Sequence, residues 1–238
     1  MTGQRLGSQS WRSLATLDAS LLVVPLGATE QHGPHLPLDA DTRIASAWAD
    51  RVAARLPGAV VAPPLPYGSS GEHQGFSGTL SIGQQALRGV LIELVRSARH
   101  SFELVVLLSG HAGNAEPVTT AVTQLRHEGH RLIALFPTWD ERAVGSDVDA
   151  HAGRVETSLL LHLAPETVEL DMAAVGNTEP LDALLDDLRS GGVASVSPNG
   201  VLGDPAGASP AEGQRLLDDL VDRAVAATGE YLRSHADL

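Results

Sequence analysis

Two hydrophobic rhythms alternate along this chain. Short runs that are nearly apolar throughout, at 21–26, 59–63, 104–108 and 131–136, predict strands. Longer stretches with apolar residues three and four apart, at 42–56, 82–100, 114–128, 152–163, 180–190 and 211–234, predict helices. Apolar strands separated by helices predict an α/β fold with a mostly parallel sheet, covered on both faces. Residues 63–79 are a glycine-, serine- and proline-rich loop, 140–149 a polar loop, and 191–210 an ordered irregular loop. With no internal repeat and no linker composition, one domain over residues 1–238 is expected.

Three polar clusters break this pattern. The run 21–26 gives way abruptly to Glu30-Gln31-His32-Gly33-Pro34-His35, with Asp41 a little beyond. The run 104–108 is followed by Gly110-His111-Ala112-Gly113-Asn114 at a strand-to-helix turn. Parallel α/β sheets bind ligands beyond the carboxyl ends of their strands, so the two clusters are expected to share one site.

Glu30 and His32 lie two residues apart and share a side in extended backbone. Asp41 follows two proline turns that could fold it back towards them. Carboxylates and imidazoles suit Zn²⁺, Mn²⁺ or Fe²⁺, although Asp41 on a surface loop could equally cap the next helix. The glycines around His111 permit close backbone approach to a ligand or simply a tight turn. The third cluster, Asp149 to Ser158, holds His151 and Glu156. Glu156 precedes Leu159-Leu160-Leu161 and is expected to face inward, where it needs a charged partner: a metal, or more simply Arg154 or solvent. Glu72 and His73, in the 63–79 loop, either meet the substrate or are ordinary loop polarity. His100, His127, His130, His162 and His235 have no partners in sequence and read as structural or surface residues.

Composition narrows the chemistry. Sixteen basic against twenty-nine acidic residues give a formal net charge of −13, which disfavours nucleic acid and anionic membrane as partners. There is no cysteine, so thiolate ligands and cysteine nucleophiles are excluded and any metal is held by N and O atoms. Aromatics are only 3%, so the core must be built from Ala, Val and Leu. No export-signal pattern and no apolar run of membrane length is present, so a soluble, cytoplasmic protein is expected.

Together, residues 25–37, Asp41, Gly110 to Asn114, His151-Ala152-Gly153 and Glu156-Thr157-Ser158 resemble the creatininase family of metal-dependent amidohydrolases. The resemblance covers roughly residues 20–235 and implies a three-layer α/β/α sandwich with two divalent metal ions per subunit, Zn, Fe(2+) or Mn. It implies that Glu30, Asp41 and His111 hold one ion, and that His32 and a bridging Asp41 hold the other. Creatininase itself carries a ligating glutamate two residues after the histidine that matches His111, where this chain has Gly113. Either Glu156 replaces it or the second site is weak. His151 is the candidate for proton transfer to the leaving amine, with Glu156 beside it, and Glu72, His73 and Asn114 are candidates for substrate binding.

Residues 71–76, 149–154 and 197–205 are similar to the mycofactocin-system branch of the family. That branch implies a modified ribosomal precursor peptide as substrate, cleaved to release its C-terminal Val-Tyr-derived moiety, and the family implies a homo-oligomer. Other readings are an amidohydrolase of a small cyclic amide or formamide, a non-catalytic binding or assembly protein, and a metal-dependent phosphoesterase. The last fits poorly with a site lacking a basic cluster.

Overall fold

The computed structural model describes residues 4–139 and 149–235. Five parallel strands form one sheet in the order β1-β3-β2-β4-β5: β1 Gln4–Arg5, β2 Leu21–Leu26, β3 Ala59–Val61, β4 Leu104–Ser109 and β5 Leu132–Leu135. Among the described residues the α-helices are α1 Trp11–Thr16, α2 Ala40–Ala53, α3 Gly83–Ala98, α4 Ala115–His127, α5 Arg154–Leu163, α6 Leu181–Gly191, α7 Val193–Val196 and α8 Pro210–Ser234. Apart from Asp149, the polar loop expected at 140–149 lies outside the described residues.

Alternation along the central strands builds a three-layer α/β/α sandwich. Leu21 and Val23 of β2, with Leu104, Val106 and Leu108 of β4, face one core. Against them pack Ile44, Trp48 and Val52 of α2, Leu159 and Leu160 of α5, and Leu216, Leu217 and Leu220 of α8. Leu22, Val24 and Leu26, with Val105 and Leu107, face the opposite core, closed by Leu87, Leu91 and Val95 of α3 and Val118 and Leu125 of α4. The 2.0 period of a strand assigns neighbouring residues to opposite layers, so both faces need helices. Pro25 is tolerated because β3 pairs only as far as Val23, and the Pro25 carbonyl accepts from Leu65 N instead (3.0 Å).

Every expected strand and helix is present, with ends shifted by a few residues. Two elements were not legible. Gln4–Arg5 adds a two-residue edge strand to β3 although both residues are polar and exposed, because its pairing is purely backbone. Helix α1 is exposed, with no buried residue, and is capped by Ser10, whose hydroxyl accepts from Ser13 N. The 191–210 segment is ordered as expected but contains the single turn α7. Among the described residues no helix is long and apolar enough to cross a membrane.

The two cores give a direct check. Leu107→Ala removes a fully buried side chain and should lower unfolding free energy by about 2–5 kcal/mol, whereas Leu170→Ala, half exposed, should change it by less than about 0.5 kcal/mol. Denaturant titration of the two variants reads this, and equal losses would contradict the assignment.

Candidate metal centre

Backbone packing brings the three clusters together. Beyond β2, any Cβ at Gly27 would collide with Thr42, so the start of α2 lies directly against the strand end. The first loop closes through Glu30 N to Leu38 O (2.9 Å), and Asp41 enters the first turn of α2 with its side chain buried. Asp39, not Asp41, takes the helix-capping position. Beyond β4, Gly110 N donates to Leu26 O (2.8 Å), and Gly110 lies so close to the Asp41 backbone that no side chain fits. His111 follows beside Asp41. Ala152, in the left-handed region at φ 53°, turns the chain between His151 and α5 and donates its N–H to Glu156 Oε2 (2.6 Å). A non-glycine residue there costs on the order of 1–2 kcal/mol, a strain held by burial of the Ala152 methyl.

Hydrogen bonds fix the histidine tautomers. His32 Nδ1 donates to Glu30 O (3.1 Å), His111 Nε2 to Ser69 O (3.1 Å) and His151 Nε2 to Gln31 O (2.8 Å). A carbonyl oxygen only accepts, so these ring nitrogens carry the hydrogen. The opposite nitrogens of His32 and His151 face carboxylates, His32 Nε2 3.3 Å from Asp41 Oδ1 and His151 Nδ1 3.9 Å from Glu30 Oε1, while His111 meets one at each nitrogen, Nδ1 3.5 Å from Asp41 Oδ2 and Nε2 3.2 Å from Glu30 Oε2. Both Glu30 oxygens and Asp41 Oδ2 are buried without a hydrogen-bond partner.

Lone pairs facing carboxylates need a cation between them, either a proton or a metal ion. Carbonyl-anchored imidazoles with one free lone pair are how proteins hold metals. Three overlapping sets have ligand atoms within 4.8 Å of one another: Glu30, Asp41 and His111; His32, Asp41 and Glu156; Glu30, His32 and His151. The residues present therefore fit a metal.

Charge within the cluster is held in tension. Burial opposes charge on His32, but Asp41, Glu156 and Glu30 outweigh it and hold the imidazole up at about 10. Burial, opposed by His111 and reinforced by Asp41, pushes Glu30 up to about 8. Burial also raises Glu156. His151 is held well below its ordinary value by burial and then by His32 and His73, so it stays neutral.

The expected residues fall into distinct places. Glu30, His32, Asp41, His111, His151 and Glu156 converge. His73 is buried among them, its Nε2 3.3 Å from Glu30 Oε1 and its ring 4.5 Å from that of His151. Glu72 lines the cavity in front of the cluster. Asn114 does not line the cavity. It is fully buried, its Oδ1 accepting from Ser69 N (2.9 Å) and its Nδ2 donating to Gly27 O (3.1 Å), and so it ties the site loops together. His151 offers a lone pair to the cluster and has its one N–H engaged, which suits a ligand better than the proton carrier expected from sequence.

Gln31 was missed. Its Oε1 accepts from Gly33 N (2.8 Å), which fixes the amide orientation, and its Nε2 donates to His73 Nδ1 (2.8 Å) and Gly200 O (3.1 Å). Its position between Glu30 and His32 was a signal, since it must point the other way.

Comparison with known proteins agrees with this geometry. The creatininase family profile, described as creatinine amidohydrolase, matches residues 7–228. The mycofactocin precursor peptide peptidase of Mycobacterium ulcerans (strain Agy99) is 50% identical over 235 residues, covering 95% of this chain and 91% of that protein. The creatinine amidohydrolase of Pseudomonas putida is 33% identical over 194 residues, covering 70% and 74%. Among solved structures, a mutant creatininase described as Zn-Zn type is similar at TM-score 0.79 and 28% identity, covering 97% of this chain and 99% of that one. One described as creatininase Mn has TM-score 0.76 and 28% identity, covering 96% and 99%.

The raised His32 and Glu30 values set a pH dependence. In the metal-free protein at neutral pH both hold protons, and a metal ion must displace them. Raising the pH from 6 to 8 lowers that competition, so divalent-ion affinity should rise about tenfold per pH unit for each proton displaced. Chelator-competition titrations at several pH values measure it; an affinity flat across this window would contradict the picture.

Proposed function

Because the chain belongs to the creatininase family, hydrolases acting on C–N bonds, we propose that it is a metal-dependent peptidase of a modified ribosomal precursor peptide. The reading is of a single metallohydrolase domain that releases the C-terminal Val-Tyr-derived moiety in mycofactocin biosynthesis. The observation that carries it is the cluster of carboxylates and fixed imidazole lone pairs at the inner end of a cavity of about 1020 Å³. That volume lies at the upper end of small-molecule sites and accommodates a peptide segment. Phe136, Leu181, Leu185 and Val193 give it an apolar wall suited to hydrophobic side chains.

In this reading Glu30, Asp41 and His111 would hold one ion and His32, Asp41 and Glu156 the other, with His151 beside Glu30 and His32. When bound, the ions supply Lewis acidity, polarising an amide carbonyl and making water acidic near neutral pH. The family resemblance and the N/O donor set support Zn, Fe(2+) or Mn, and the Zn-Zn and Mn creatininase structures are consistent with two of these. The carbonyls of Glu30, Gln31 and Ser69 keep the imidazoles oriented, and the apolar wall aligns the peptide and excludes water. Exposed Leu38, Tyr67 and Leu80 fit burial in a homo-oligomer. The similarity to creatinine amidohydrolase favours, as a second reading, hydrolysis of a small amide.

Mass spectrometry of the modified peptide incubated with metal-loaded protein separates the two. Release of the C-terminal fragment is expected; turnover of creatinine or a formamide with the peptide left intact would favour the second reading. Elemental analysis of Glu156→Ala should show one ion per chain where the unsubstituted protein shows two, and an unchanged count would remove Glu156 from the ligands.

A further inference from the structure

We infer that Glu72 is the proton-transfer residue of this site, placed over Gly113 on the cavity side of the cluster; the inference rests on the hydrolase reading above. Hydrolysis of an amide requires a group that takes a proton from the attacking water and returns one to the departing amine. The buried cluster does not offer it. His151 gives its N–H to Gln31 O and turns its lone pair inward. His73 Nδ1 accepts from Gln31, which leaves its hydrogen on Nε2, facing Glu30. Glu30 and Asp41 are buried, and Glu156 accepts from Ala152 N and belongs to a metal-compatible set. Asp149, also on the cavity wall, accepts from Arg154 N and Asp204 N.

Among the described residues Glu72 is the remaining carboxylate that both lines the cavity and reaches the cluster. Its side chain is 34% exposed, and its Oε1 lies 3.7 Å from His111 Nε2 and 4.0 Å from His73 Nε2. Two glycines make this position possible. A Cβ at Gly113 would collide with Glu72 Oε1, with the His111 ring and with the Ser69 carbonyl. A Cβ at Gly192, which already holds φ +70°, would lie 2.7 Å from Glu72 O, so the α6–α7 junction is seated directly on the turn Gly71–His73. The residue that leaves a gap two positions after His111 thus gives room to a carboxylate arriving from another loop.

The step balances without an added reagent. As the water oxygen forms its bond to the amide carbon, one water proton passes to the Glu72 carboxylate. As the C–N bond breaks, the Glu72 carboxylic acid returns that proton to the leaving nitrogen. The second water hydrogen leaves with the new carboxyl group.

The test compares Glu72→Gln and Glu72→Ala with the unsubstituted protein, all metal-loaded, on the modified peptide. Glu72→Gln should lower kcat by about 10²–10⁴-fold, with KM and the metal count from elemental analysis unchanged. Formate should restore part of the turnover of Glu72→Ala, which a merely structural role would not allow and which decides the matter should Glu72→Gln fail to fold. A lost metal ion in either variant, a KM effect alone, or unchanged kcat would overturn the inference. Failure of the unsubstituted protein to cleave the peptide would instead count against the proposed function.

Discussion

The structure depends on buried carboxylates that the protein supplies with too few hydrogen-bond donors. Glu30 lies beyond the carboxyl end of β2 and Asp41 in the first turn of α2, and three of their four carboxylate oxygens have no hydrogen-bond partner. The imidazoles of His32 and His151 point their N–H groups outward to carbonyls and their lone pairs inward, while His111 and His73 bring Nε2 to 3.2 and 3.3 Å from Glu30. An unpaired carboxylate in a protein interior costs several kcal/mol, so this arrangement is stable only with cations at its centre. Protons on His32 and Glu30 occupy that place in the metal-free protein, and a bound divalent ion would displace them.

Much of the architecture serves to hold that charge still. The sheet aligns the ends of β2 and β4, and the absence of side chains at Gly27 and Gly110 lets α2 approach both. The strained turn at Ala152 aims the third cluster into the same space, and Asn114 ties the loops after β2, β3 and β4 together through its amide. Gln31 reads both His73 and Gly200, so the outermost loop is in register with the innermost histidines. These contacts fix the directions of the carboxylates and imidazoles of the cluster and of the loops that carry them.

The sheet and the position of the site were legible because they rest on local patterns. An apolar run ending abruptly in Glu30, His32 and Asp41 has no structural need for that polarity, and the second run ends alike in His111. What could not be read depends on contacts between residues far apart in the chain. The tautomer of His151 is set by a carbonyl 120 residues away, so sequence named the residue but not which nitrogen is free. Asn114 sits in the right motif but spends its amide on Ser69 and Gly27. The gap at Gly113 was visible as a departure from creatininase, but its occupation by Glu72 appears only when the 63–79 loop is folded over it.

Anomalous diffraction from zinc-loaded crystals tests the central claim most directly. The account predicts two zinc peaks sharing Asp41, one about 2.0–2.1 Å from His32 Nε2 and the other at that distance from His111 Nδ1, with the opposite ring nitrogens still on the carbonyls of Glu30 and Ser69. Zinc bound through His32 Nδ1 or His111 Nε2, or no zinc at Glu30 and Asp41, would contradict it.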